Sequence, residues 1–280
     1  WKLIAPKLRF QSEKLGSETI PDFFAKSVQD TSGIIKLISC SFCIFFFLFY
    51  IASGLKGVGF LLNSLFSLPL VSGIFLSALV IIVYISLGGF FAISFVGAFQ
   101  GIFLLAMLLL VPFAMKGQME SSWVEIFSSA ASGFNKDPNT KTFFTLEGIP
   151  VALSWGLCYF GLPHVLSKFM GVDSVKSLKK AKWVGLIWQA LALGSSLSVG
   201  VLAKAYFSSS SGLAENILFI RIVQEVFTPF LAGLVFCAML AATISTVDSQ
   251  IMVSATSLTK DVFKISGKKG VQVSRISILV

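Results

Sequence analysis

GLVFCAMLAATISTVDSQIMVSATSLT, residues 233–259, is the stretch on which the reading of this chain turns. Its first part belongs to a run of 22 residues, Val226 to Val247, that carries no charge. As a helix, such a run crosses a hydrocarbon core of about 30 Å. Ala238, Ala241, Ala242, Ser245 and Ser249 recur at three- and four-residue spacing, which puts them on one helix face. Small residues on one face let a second helix approach closely, and this is how helices associate in lipid. Ser245 and Thr246 set two hydroxyl oxygens on or beside that face, one turn after Ala242. Hard cations are bound by oxygens, so these hydroxyls and the Ala242 carbonyl form a candidate half-site for sodium. Hydrogen bonding of the same hydroxyls to another helix is the alternative reading.

The rest of the chain agrees with a helical membrane protein. Of 280 residues, 55% are hydrophobic and only 12% are charged, about half the charged share of an ordinary soluble domain. Long continuous apolar runs exclude the short alternating segments of a β-barrel. The expected fold class is therefore all-α and polytopic. One transmembrane domain is expected to fill residues 1–280, with six full spans at 34–56, 68–88, 91–115, 147–168, 183–206 and 226–256. A seventh span begins at 271–280. The second and third come from one uncharged stretch, Gly57–Met115, divided at Gly88–Gly89. Before the first span, Ser17–Phe24 reads as a short capped helix along the membrane surface. Lys116–Glu147 reads as a polar loop with turn residues Asn135, Asp137 and Pro138. The chain opens at Trp1 and stops inside a fresh apolar run, which reads as the interior of a longer protein.

Charge placement gives an orientation. Residues 1–36, 168–182 and 260–275 hold 16 of the 22 lysines and arginines, and alternating spans put those three segments on one side. By the positive-inside rule that side is cytoplasmic. The net charge of +9 then faces an anionic inner leaflet, and no nucleic acid is needed to explain it. All four cysteines lie inside apolar spans, and Cys40 and Cys43, although spaced CxxC, have no second pair to complete a zinc set. His164 is the one histidine, so a multi-histidine metal centre is excluded and no enzyme constellation is visible.

The fourth span is marked by Gly156, Gly161 and Pro163, which should interrupt its hydrogen-bond ladder. Trp155, Tyr159 and Pro163 follow one another at four-residue steps. Two rings and freed carbonyls there would suit a small solute with an apolar ring and a cationic nitrogen. A proline-kinked helix with interfacial aromatics is the other reading. Tyr50 either completes such a pocket or belongs to an aromatic belt. Asp248 lies just past the uncharged run, where it is expected to cap, to pair with Lys260 or to be hydrated.

These residues resemble a known family. LAATISTVDSQIMVSATSLTKDVFK (Leu240–Lys264) is similar to the signature helix of the sodium:solute symporter family, and WGLCYFGLPHVLSKFMGVDS (Trp155–Ser174) resembles its bacterial proline-transporting branch. WKLIAPKLRF (Trp1–Phe10), TIPDFF (Thr19–Phe24), FYIASG (Phe49–Gly54) and GGFFAIS (Gly88–Ser94) extend the likeness collinearly over the chain. The GLPH of Gly161–His164 is shared with pantothenate-transporting relatives. The resemblance implies part of a leucine-transporter-type inverted-repeat fold, with substrate and sodium held near the midplane beside broken helices. It implies that Ala242, Ser245 and Thr246 are this chain's half of a sodium site, and that Tyr50, Trp155, Tyr159 and Pro163 line a proline pocket. It further implies that the chain begins after the family's third helix and ends as its tenth begins, so that alone it would not transport.

The implied activity is sodium-coupled uptake of proline across the bacterial plasma membrane, by a multi-pass protein with no cofactor, no enzymatic step and no obligate protein partner. Alternatives are symport of pantothenate, a sugar or another amino acid, or a symporter-derived sensor or non-transporting relative. One position departs from the pattern. Where the proline branch carries an aspartate in SWTD, this chain reads Ser94-Phe95-Val96-Gly97, which weakens the case for sodium over protons.

Overall fold

The computed structural model describes residues 1–136, 148–207, 215–265 and 273. The turn expected at Asp137 and Pro138, and the start of a seventh span at 271–280 apart from Val273, fall outside the described residues. Ten α-helices are present among those described: α1 (Ile4–Leu15), α2 (Ile20–Ser27), α3 (Ile34–Phe66), α4 (Leu70–Gly117), α5 (Trp123–Lys136), α6 (Gly148–Gly161), α7 (Pro163–Met170), α8 (Val175–Tyr206), α9 (Glu215–Val226) and α10 (Pro229–Ser257). A π-helical turn, Leu258–Val262, continues α10.

Among the described residues, five helical stretches are long and apolar enough to cross a membrane: Ile34–Phe66, Ile93–Gly117, Gly148–Met170, Val175–Tyr206 and Pro229–Val262. Leu70–Ser86 is a shorter apolar helical stretch. The two apolar runs on either side of Gly88–Gly89 both belong to α4. The interruption expected in the fourth span is present: α6 stops at Gly161, Leu162 is extended (φ −65°, ψ 109°), and Pro163 opens α7. Proline lacks the N–H that a continuing ladder needs and tolerates only the first turn.

The short helices follow their caps. The Thr19 side chain accepts from the Asp22 backbone N–H at 3.1 Å and starts α2, with Pro21 in its first turn. The stretch read as a polar loop contains α5. Ser122 and Glu125 bond reciprocally there, the Ser122 Oγ accepting from the Glu125 N–H at 3.2 Å and the Glu125 carboxylate from the Ser122 N–H at 2.9 Å, which is a capping box.

The chain divides into two compact units. One comprises Trp1–Gly101, Leu162–Trp183 and Leu240–Val280, the other Ile102–Gly161 and Val184–Met239. In the second unit Gln118 at the end of α4 donates to the Val226 carbonyl at 3.1 Å and accepts from the Tyr206 hydroxyl at 3.3 Å, while Ser195 donates to the Leu108 carbonyl.

The first unit has two apolar clusters. Ala5, Leu8 and Ile20 pack with Leu166, Phe169 and Leu178, joining α1 and α2 to α7 and the start of α8. Ile81, Ile85 and Ile93 of α4 pack with Val247 and Ala255 of α10. Two close approaches depend on missing side chains. A Cβ on Gly54 would lie 2.5 Å from the Val247 Cγ2, and one on Gly73 only 3.1 Å from the Gly59 Cα. An ion network ties the basic end together. Lys36 of α3 donates to Asp22 of α2 at 2.8 Å and lies 3.3 Å from Asp261 of the π-turn. Thr19 donates to the same Asp261 oxygen at 2.9 Å, and Lys260 pairs with Glu18. Burial alone would raise the Asp22 carboxyl, but hydrogen bonds from Lys26 and Lys36 outweigh it and hold the group below its ordinary 3.8.

Two outcomes follow from this packing. Gly54→Ala in the intact protein is expected to cost about 1–3 kcal/mol, as overpacking does, with Val247→Ala restoring part of the loss; thermal midpoints of the single and double variants in detergent measure it. The depressed Asp22 carboxyl contributes stability that is complete above its unfolded value and is lost as pH falls through the lower folded value. Amide-exchange protection of α2 should therefore drop below about pH 3.8, and Asp22→Asn should show low protection without that acid step.

Candidate functional site

Helix α10 brings the proposed sodium ligands together. The Ser245 hydroxyl donates to the Ala242 carbonyl at 3.0 Å, and the Thr246 hydroxyl donates to the same oxygen at 3.3 Å. All three residues are half-buried. Both hydroxyls thus bond within their own helix, the back-bonding typical of Ser and Thr in apolar helices. Three oxygens gather within one turn, and the carbonyl that a helix would otherwise bury carries extra donors. A cation arriving here would turn the hydroxyl protons away and meet the freed lone pairs.

The aromatic residues are distributed differently. Tyr50 of α3 is exposed, and its ring centre lies 6.5 Å from that of His164, the neighbour of Pro163 in α7. These residues belong to the first unit. Trp155 and Tyr159 occupy α6 in the second unit. Tyr159 is exposed, and the side chain of Trp155 is outside the described residues. The four-residue step from Tyr159 to Pro163 crosses the extended Leu162, so helical register relates Trp155 to Tyr159 but not to Pro163.

Asp248 departs from the pairing expected from sequence. Lys260 is held by Glu18. The Asp248 side chain is fully buried and accepts a 2.5 Å hydrogen bond from the Tyr84 hydroxyl of α4 and a 3.1 Å bond from the Ser249 hydroxyl. A carboxylate at such depth persists only when donors face it. Tyr84 was missed altogether, although it is the one hydroxyl-bearing ring in the uncharged stretch Gly57–Met115. At Gly97 a Cβ would meet nothing within 4 Å, so glycine is not required there by packing. Among the described residues no cluster of His, Cys, Asp and Glu is suited to a resident metal. Cys40 is buried while Cys158 and Cys237 are exposed.

Comparison with known proteins gives these oxygens a context. The chain is 34% identical over 292 residues to the sodium/proline symporter of Staphylococcus aureus, covering 99% of this chain and 56% of the relative. The sodium/proline symporter of strain Newman matches at the same identity and coverage. The chain thus spans about half the length of the curated relatives it matches. Among solved structures, a substrate-bound outward-open state of a Na+-coupled sialic acid symporter, described as revealing a novel Na+-site, superposes with a TM-score of 0.78 at 18% identity. That match covers 99% of this chain and 64% of the other, and it establishes an all-helical fold of the leucine-transporter type. The relatives are symporters and not enzymes. With the family model for sodium:solute symporters matching residues 1–280, this chain belongs to the sodium:solute symporter family.

Proposed function

We propose that the intact protein is a multi-pass transporter of the bacterial plasma membrane that couples inward sodium flow to uptake of proline. The observation that carries this reading is the convergence of the Ala242 carbonyl with the Ser245 and Thr246 hydroxyls, at 3.0 and 3.3 Å, on the signature helix of a symporter-family chain. Sodium is here a transported substrate. Three oxygens from one helix leave room for ligands from elsewhere in the intact protein. Binding of the ion would fix α10 against those ligands and favour the arrangement in which the solute pocket is complete, so that each ligand raises the affinity of the other.

In this reading Tyr50, Trp155, Tyr159 and Pro163 enclose the solute, the rings supplying apolar contact and faces for a cationic nitrogen. The break at Leu162 supports it, because backbone freed from a helix ladder is tolerated at membrane depth only where it lines a cavity or is buried in protein. The chain acts as one transmembrane domain with six crossings and its basic loops in the cytoplasm. Proline is favoured by the two symporters at 34% identity. A second reading keeps sodium coupling and changes the solute, favoured by the likeness to a Na+-coupled sialic acid symporter.

Ser245→Ala and Thr246→Ala should each raise the half-saturating sodium concentration for uptake by about tenfold, the worth of one lost oxygen ligand. Unchanged sodium dependence in both variants removes the ion site. Unlabelled proline is expected to outcompete pantothenate, sugars and sialic acid for labelled proline uptake in membrane vesicles. Failure of proline to compete transfers the assignment to the second reading.

A further inference from the structure

Beyond Thr246, α10 carries polar residues in register on one face: Gln250, Ser254 and Ser257, followed by Asp261 in the π-turn, at steps of four, four, three and four. Gln250 is fully buried, Ser257 is 1% exposed and Asp261 is 4% exposed. Both amide atoms of Gln250, the Ser254 Oγ and the Asp261 Oδ2 are buried with no hydrogen-bond partner among the described residues. Other hydroxyls nearby behave differently: Thr256 and Thr259 donate back to the Met252 and Ala255 carbonyls. An unpaired buried polar group costs about 1–3 kcal/mol. A helix in lipid that carries several on one face needs a reason other than packing, and polar groups at membrane depth mark ion pathways.

The far end of this face supplies a charge. Asp261 Oδ1 is taken by Thr19 at 2.9 Å and Lys36 at 3.3 Å, while Oδ2 is unclaimed. Lys36 also holds Asp22 at 2.8 Å. A monovalent cation reaching Asp261 would displace an ammonium of equal charge, and that ammonium would keep a carboxylate partner in Asp22. The exchange therefore strands no charge, and it leaves Asp261 free of the bond that ties the π-turn to α3.

We propose that this face is a release path for an alkali cation, leading from the oxygens of Ala242, Ser245 and Thr246 past Gln250 Oε1 and Ser254 Oγ to the Asp261 carboxylate, with Lys36 as the tethered cation that closes it. The proposal rests on the sodium-coupled reading above. Thr246, Gln250 and Ser254 follow one another at about 6 Å, one helical turn each, and Asp261 lies about 10 Å beyond Ser254 with Ser257 between them; the path leads to the lysine-rich end, which the basic-residue asymmetry assigns to the cytoplasm.

Radiolabelled sodium exchange in right-side-out and inside-out vesicles carrying the intact protein tests the path. Gln250→Leu and Asp261→Asn should each weaken apparent sodium affinity about tenfold from the cytoplasmic face and leave the external affinity unchanged. Thr256→Val, off the polar face, should change neither. Should Asp261→Asn fail to reach the membrane, Gln250→Leu and Ser254→Ala carry the same comparison. Equal shifts on both faces, or none on either, overturn the proposal. Because Ser245→Ala shifts sodium dependence only if the half-site is real, a failed half-site and a failed path give different results.

Discussion

Helices in lipid gain little from hiding apolar surface, so what holds them is how closely their backbones meet. In this chain the decisive meeting is between α3 and α10. Gly54 lies against Val247, where a Cβ would come within 2.5 Å of a methyl group, and Thr243 is its next neighbour at 3.8 Å. That contact falls in the same turns of α10 as Ala242, Ser245 and Thr246. The carbonyl and hydroxyls are therefore held on a segment with little room to shift, and a cation site needs ligands fixed to within a fraction of an ångström. On the neighbouring side, Ile81 and Ile85 of α4 close against Val247 and Ala255, and Tyr84 fastens Asp248. Apolar packing and a buried charge thus lock the same stretch from two directions.

The two polar systems of the first unit behave in opposite ways. Around Asp248 the donors match the acceptor: Tyr84 serves one oxygen and Ser249 the other. Along Gln250, Ser254 and Asp261 the polar atoms outnumber their partners. Satisfied groups hold a structure in place, whereas unsatisfied ones are ready to bind. Both lie on one helix within a few turns, which is how a rigid support and a responsive surface share a single element.

Much of this was legible in the amino-acid order. Uncharged runs marked the helices, Pro163 marked the break at Leu162, and Ser17–Phe24 marked a short capped helix where α2 begins. The spacing of Ala242, Ser245 and Thr246 predicted a cluster of oxygens, which α10 forms by its own geometry. What escaped depends on tertiary neighbours. The end of an uncharged run suggested that Asp248 meets water, but depth is decided by what packs around a residue, and Tyr84 comes from a helix more than 160 residues earlier. The capping box of Ser122 and Glu125 was readable and would have placed α5 in the polar loop. The direction in which the hydroxyls of Ser245 and Thr246 donate was not, since spacing alone is equally compatible with a partner on another helix.

The π-turn at Leu258–Val262 gives the basic end a particular fragility. Its widened ring is closed by the Phe263 N–H reaching the Leu258 carbonyl at 3.0 Å, five residues back. One residue more than an α-helix would use is stored in that ring. Excising a single amino acid ahead of Asp261 would let the ring close to ordinary pitch and change the angle at which Asp261 leaves the helix axis. Asp261 would then leave Thr19 and Lys36, and the surface helix α2 would lose its anchor to α10 although no charged residue had been altered.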